Sequence, residues 1–385
     1  MHQALRGAVI IESRAEAPAE SPPTDAAPPR VATVFSGRRR SRELLLAAGS
    51  VGFVVSWLLG IEWLLRWGSP GDHDRPQASL ARLHRYSEAY GWEPRPRALA
   101  SVEGQRTSIN GRGLRGTEHP LARTSLRTRV LMVGDSIAFG YGVADEQTFA
   151  ALLEARGYEV VNLAVPGYGT DQSLLRLARE GMAYSPDVVL LHFCLNNDFV
   201  DNASRTYFYD ALHPKPYFTI DRDGLALHDQ HLRLSRLNRL ALWMHERSYL
   251  FSRLTGSPAT GSHDRPGRKE AALRDGDAVR ELTYRLIARA ADVARKGGAD
   301  FVLVVHSGRR EFREGSPWFD ALWNARSLRG IRQVDMGGQF LARGRRLQDL
   351  TLDPIGHLNP AGHREVAAVL APILDEARAR AGRVQ

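Results

Sequence analysis

Four short segments of this 385-residue chain carry side chains suited to acyl-transfer chemistry. The first, Gly134-Asp135-Ser136, directly follows the apolar run Arg129–Val133. A serine where a strand turns into a helix can stand exposed at the sheet edge, beside backbone N–H groups that lack intrahelical partners. The same N–H groups are equally open to capping by Asp135 or Ser136, the aspartate then bracing the turn rather than reacting. The second segment is Pro166-Gly167-Tyr168-Gly169, in which glycine permits either an ordinary turn or close backbone approach to a ligand. The third, Asn196-Asn197-Asp198, offers the Asn197 amide as a donor or as a loop cap. The fourth runs from Asp353 through His357 to His363. A carboxylate shortly before a histidine can fix the ring tautomer and stabilise its charged form. Taken together, the segments supply a hydroxyl nucleophile, a base oriented by a carboxylate, and donors for an oxyanion.

Other polar residues read as structural. His306, at a strand end, could face the site, but a satisfied structural histidine is the expected reading. His228 and His231 lack a third ligand, so no metal site is expected. Cys194, the single cysteine, rules out an internal disulfide and reads as a small buried residue. Asn202-Ala-Ser204 matches a glycosylation sequon, a pattern common by chance.

These segments need a scaffold that brings strand ends together. Arg129–Gly134, Tyr158–Val165, Asp187–Phe193, Asp300–His306 and Gly330–Asp335 read as strands, mostly buried apolar runs. Helical patterns lie between them at Gln147–Arg156, Asp171–Glu180 and Ala278–Ala294, and Pro360 opens a closing helix to Arg380. Alternating strands and helices predict a parallel sheet covered on both faces. Residues 200–277 break the rhythm. They hold a predicted hairpin at Tyr217–Leu225 with Asp223-Gly224 at its turn, a helix near Leu234–Leu254, and a Gly/Ser/Pro-rich loop at 256–267. This insertion is expected beside the carboxyl edge of the sheet, where it either shapes the substrate site or is decorative.

The N-terminal part concerns location. Residues 1–42 read as a disordered basic tail ending in Arg38-Arg39-Arg40-Ser41-Arg42. The uncharged run Leu44–Ile61 is about 18 residues, enough to span about 27 Å of hydrocarbon. Trp57, Trp63 and Trp67 gather at its far end as an interfacial belt would. Residues 43–66 are therefore expected to form one uncleaved transmembrane helix, with a linker and lead-in segment at 67–127. The preceding arginines would stay cytoplasmic, leaving the rest of the chain outside the cytoplasm. Overall the chain is 43% hydrophobic with a net charge of +9, carried almost entirely by arginine, since the only lysines are Lys215, Lys269 and Lys296. It shows no zinc-finger spacing or basic-zipper heptads, so nucleic acid is not an expected partner.

Gly134-Asp135-Ser136, Gly167, Asn197-Asp198 and the late Asp/His pair resemble the four blocks of the SGNH/GDSL hydrolases, across roughly residues 128–375. Asn110-Gly-Arg-Gly-Leu-Arg115 is similar to the lead-in of membrane-anchored members. The resemblance implies a flavodoxin-like three-layer α/β/α sandwich with a parallel sheet and no metal or other cofactor. It implies Ser136 as nucleophile, His357 as general base and then acid, and Asp353 as its orienting carboxylate. The Ser136 and Gly167 N–H groups and the Asn197 side chain would form the oxyanion hole. Two positions depart from the family pattern. Leu195 stands where block three usually has glycine, and three residues rather than two separate Asp353 from His357, which leaves Asp349 as an alternative. His363 competes with His357 for the base. The implied activity is ester hydrolysis through an acyl-enzyme, acting on O-acylated carbohydrate or a similar ester. Alternatives are O-acetyl transfer to an exopolysaccharide, or an inactive carbohydrate-binding or assembly protein.

Overall fold

The computed structural model describes residues 35–67, 82–206, 214–254, 276–308 and 317–381. The first 34 residues of the predicted tail and the loop at 256–267 lie outside the described residues. The chain divides into two units at Leu59–Gly60.

Helix α1 spans Phe35–Trp67. It starts earlier than expected and takes in Arg38–Arg42, because arginine is a good helix former and an apolar helix propagates readily into such residues. Its stretch Ser41–Leu65 is long and apolar enough to cross a membrane, with a mean hydropathy of 2.2 over its most apolar 18 residues.

The second unit is built on five parallel strands: β5 (Arg129–Val133), β6 (Glu159–Asn162), β7 (Val188–Cys194), β10 (Asp300–His306) and β11 (Arg332–Asp335). Their spatial order is β11-β10-β7-β5-β6. The chain thus starts in the sheet at β5, steps out to the edge at β6, and returns past β5 to β7. That reversal is the flavodoxin-like order, whose ligand crevice opens at the carboxyl ends of the two strands flanking the switch.

Alternate strand residues feed opposite faces, as a pleated sheet requires. On one face Val130, Met132, Leu190 and Val304 pack with Phe149 and Leu153 of helix α3 (Phe149–Glu154) and with Val366, Leu370 and Leu374 of the closing helix α9 (Pro360–Ala381). On the other, Leu131, Val189, Leu191 and Leu303 pack with Leu174 and Leu177 of α4 (Thr170–Arg179) and with Leu286, Ile287 and Ala290 of α8 (Gly276–Lys296). Two short helices follow the switch-point strands directly: α2 (Ser136–Phe139) after β5 and α5 (Asp198–Ala203) after β7.

The lead-in is not merely a linker. It folds into two hairpins, β1–β2 (His84–Ser87, Gly91–Pro94) and β3–β4 (Leu99–Val102, Gln105–Ser108). Tyr90, Trp92 and Leu114 from this stretch join the sheet's hydrophobic core, because large aromatic rings gain too much by burial to stay in water. The insertion forms the predicted hairpin, β8 (Tyr217–Asp221) with β9 (Gly224–His228). The single expected helix after it is two: α6 (Arg236–Arg247) and α7 (Tyr249–Leu254), separated by Ser248 in an extended conformation.

Candidate active site

Ser136 emerges from β5 at the first position of α2. Asp135 is the N-cap: its Oδ1 accepts the Ile137 N–H at 2.9 Å, leaving Ser136 to face the crevice. Gly134, at φ +152°, makes the turn sharp enough, and a Cβ there would meet the His192 carbonyl oxygen at 2.8 Å. Ser136 Oγ lies 2.8 Å from His357 Nε2, although 221 residues separate them. His357 Nδ1 lies 2.5 Å from Asp353 Oδ2. The longer spacing within this last pair is absorbed by a turn. Asp353 Oδ1 accepts the N–H groups of Gly356 and His357 at 3.0 and 3.2 Å, and Gly356 takes φ +111°. The carboxylate is thereby folded under its own histidine. Burial pushes the Asp353 carboxyl up, but its hydrogen bond to His357, the charge of that ring and the two backbone N–H groups outweigh it, leaving it below the usual carboxylate range. Asp349 is instead taken by Arg346, at 2.8 and 3.0 Å, on the surface. His363 is buried with its Nδ1 accepting the Phe149 N–H at 3.1 Å, and burial lowers it to about 3.

This Ser136–His357–Asp353 chain lies at the switch of a flavodoxin-like sheet. The sequence model of the GDSL-like lipase/acylhydrolase family matches residues 132–365, more than half of the chain. The chain is a GDSL-like acylhydrolase. No curated protein matches it. Among solved structures it is similar to a GDSL-like lipase from Bacteroides thetaiotaomicron at 14% identity and TM-score 0.38, covering 67% of this chain and 93% of that one. It is similar to TesA at 17% and 0.37, covering 65% and 99%. It is also similar to a catalytic mutant of an acetylxylan esterase from Geobacillus stearothermophilus, at 13% and 0.37, covering 64% and 94%.

Gly167 of the acylhydrolase sits in the turn after β6, and Asn197 is the N-cap residue of α5 after β7. The Asn197 amide differs from expectation. Its Nδ2 donates to Asp201 Oδ2 at 3.0 Å and to Asp135 Oδ2 at 3.3 Å, so in this state it ties the nucleophile turn to α5. The reason is electrostatic, since two fully buried carboxyl groups need donors. Burial drives the Asp135 carboxyl up and lifts that of Asp201 to about 7. Asp198, buried beside both, is pushed well above the carboxylate range, and its Oδ2 accepts the Cys194 N–H at 3.1 Å.

Three supports were not singled out from residue types. Lys215, from the insertion, is buried and bonded to Asp171 of α4 and, at 2.6 Å, to the Asp201 carbonyl oxygen. Its signal was available, as one of three lysines in a chain that otherwise uses arginine. Arg115, quoted as part of the lead-in, is 2% exposed and grips the loop after the nucleophile. It donates to the carbonyls of Phe139 (3.1 Å), Gly140 and Val143 (2.6 Å), and to Asp145. That loop presents Tyr141, whose ring lies 4.4 Å from the His357 ring and whose hydroxyl donates to Glu103 at 2.8 Å.

The remaining residues sit apart from this chemistry. His306 is buried, 3.0 Å from His192. His231 Nε2 meets the Lys215 carbonyl, and His228 meets Thr219. Asn202 of the sequon is 1% exposed and bonded to Thr283 and to the Asp171 N–H, so it is closed to glycan attachment.

Proposed function

We propose that this acylhydrolase is a membrane-anchored serine esterase whose catalytic unit works outside the cytoplasm on O-acylated carbohydrate or a similar ester. The observation that carries the serine mechanism is the unbroken Ser136–His357–Asp353 hydrogen-bond chain of 2.8 and 2.5 Å. His357 Nε2 takes the Ser136 proton as Oγ attacks the ester carbonyl, and Asp353 holds the proton on Nδ1 and stabilises the imidazolium. The backbone N–H groups of Ser136 and Gly167 receive the oxyanion. Asn197 joins them by giving up its 3.3 Å bond to Asp135, the weaker of its two. His357 returns the proton to the leaving oxygen. Water, activated by the same ring, then releases the acyl group.

The location rests on α1. Arginines at 38–42 precede the apolar stretch, which favours a cytoplasmic N-terminus. The test uses the full-length protein in detergent. Ser136→Ala should abolish labelling by a fluorophosphonate and turnover of activated esters, whereas labelling that persists in this variant refutes the nucleophile. A series of acyl chain lengths on the parent, with acetate release compared against acetyl transfer to a glycan, identifies the acyl group and its acceptor.

A further inference from the structure

Helix α6 turns its apolar face away from the protein. Leu242 is its buried contact, at 7% exposure, and Arg239 on the same side pairs with Glu88 at 2.9 Å. The opposite side carries Leu237, Leu240, Ala241 and Met244, the i, i+3, i+4, i+7 stripe that helices normally bury. Leu237 is 78% exposed and Leu240 52%, and Trp243 beside them is also 52% exposed. The helix leads through Ser248 into α7, and that junction is fixed to the end of α1. Glu62 Oε2 accepts both the Ser248 hydroxyl, at 2.9 Å, and the Leu250 N–H, at 2.8 Å. Glu62 neighbours Trp63, which stacks on Trp67 at 5.7 Å. In a spanning helix such tryptophans mark the headgroup level.

We infer that α6 lies flat in the headgroup layer of an anionic membrane leaflet, its Leu237–Leu240–Met244 stripe dipping into the acyl boundary beside the exit of α1. The inference rests on the reading of α1 as a membrane span. Direction follows from the stripe. Leu237 is about 16 Å of helix from Ser248, so an α6 rising away from the bilayer would hold exposed leucine far out in water. Charge follows from composition. Residues 233–254 contain five arginines against one carboxylate, Glu246, and of the five Arg239 is paired with Glu88 on the protein side. Arginines flanking an apolar stripe are the composition of interfacial helices, whose stems lie along the apolar surface while their heads reach lipid phosphates. A stripe of two turns is also small for a stable protein interface, which buries about 800 Å² per partner.

Cys194 is buried, so a cysteine at position 240 is the single site for labelling. Full-length Leu240→Cys, carrying an environment-sensitive dye, is reconstituted into phosphatidylcholine liposomes with or without phosphatidylglycerol. Brominated-acyl lipid serves as the quencher. The expected result is blue-shifted emission that brominated lipid quenches, with a larger shift when phosphatidylglycerol is present. Alkaline carbonate extraction of the same liposomes separates the two readings. Release of the protein sinks the span and this inference together. Retention with red, unquenched emission in both lipid mixtures sinks this inference alone. Emission that follows the protein-to-lipid ratio but ignores brominated lipid assigns the stripe to a second copy of the chain, and likewise overturns it.

Discussion

Replacing Arg115 by methionine keeps the stem of the side chain and removes the charge. Arg115 is 2% exposed, and its three carbonyl acceptors belong to the end of the nucleophile helix and the loop between it and Asp145. Asp145 itself is 26% exposed and also receives the Ser108 N–H and hydroxyl, so it tolerates the loss. The carbonyls of Phe139, Gly140 and Val143 lose their charged donor. A buried group deprived of its partner costs about 1–3 kcal/mol, and some water will enter the space left behind. Three such groups give a net cost of about 3–5 kcal/mol, the scale for breaking a buried charge pair. For a unit of this size that corresponds to a fall in melting temperature of roughly 10 °C. Arg115→Lys should lie between parent and Met variant, because an ammonium serves one or two of these acceptors and lacks the planar fork. Thermal unfolding in detergent, followed by tryptophan fluorescence, reads the stability. Turnover measured well below the transition reads the loop, since Tyr141 on it packs against His357. A Met variant that melts within about 2 °C of the parent and retains full turnover would refute the reasoning.

Asp353→Asn should lower kcat by about 10⁴ by removing the acceptor that sets the His357 tautomer, while Asp349→Ala leaves it unchanged; equal losses in both would reassign the carboxylate. Asn197→Ala should slow turnover by roughly 10²–10³, the usual scale for one oxyanion donor, and a parental rate would remove the amide from the transition state. Burial holds His306 near a pKa of about 3 against an ordinary 6.5, so the folded state binds fewer protons. Its contribution is intact above pH 6.5 and is lost as the pH falls towards 3, reaching about 2 kcal/mol at pH 5. Urea unfolding of His306→Asn should therefore show a stability difference between pH 7 and pH 5 smaller than the parent's by that amount, and an unchanged difference contradicts the assignment.

The sheet was legible because its strands are buried on both faces and read as apolar runs; Asp300–His306 matches β10 residue for residue. The break between α6 and α7 was not, although serine is a good helix cap: Ser248 Oγ accepts the Phe251 N–H at 3.1 Å and donates to Glu62, and that long-range partner is not visible in the local pattern. At the site, the resemblance carried by the four segments named Ser136, Asp353 and His357 as candidates, with Asp349 and His363 as alternatives, but not the state of Asn197. An amide's choice between an oxyanion and two carboxylates depends on how deeply those carboxylates are buried, which no local pattern encodes. The Lys215–Asp171 pair was hidden for the same reason. The two are 44 residues apart, and folding alone makes their charges matter to each other.

The hairpins ahead of β5 bear on where this enzyme begins. Glu103 holds Tyr141, Arg115 holds the loop that carries it, and Trp92 donates to the Pro166 carbonyl just before Gly167. A recombinant fragment trimmed to the family's own borders would discard all three, along with the last turns of the closing helix. The smallest unit fit for expression starts no later than Leu83, which is fully buried in the core some fifty residues upstream of the catalytic homology.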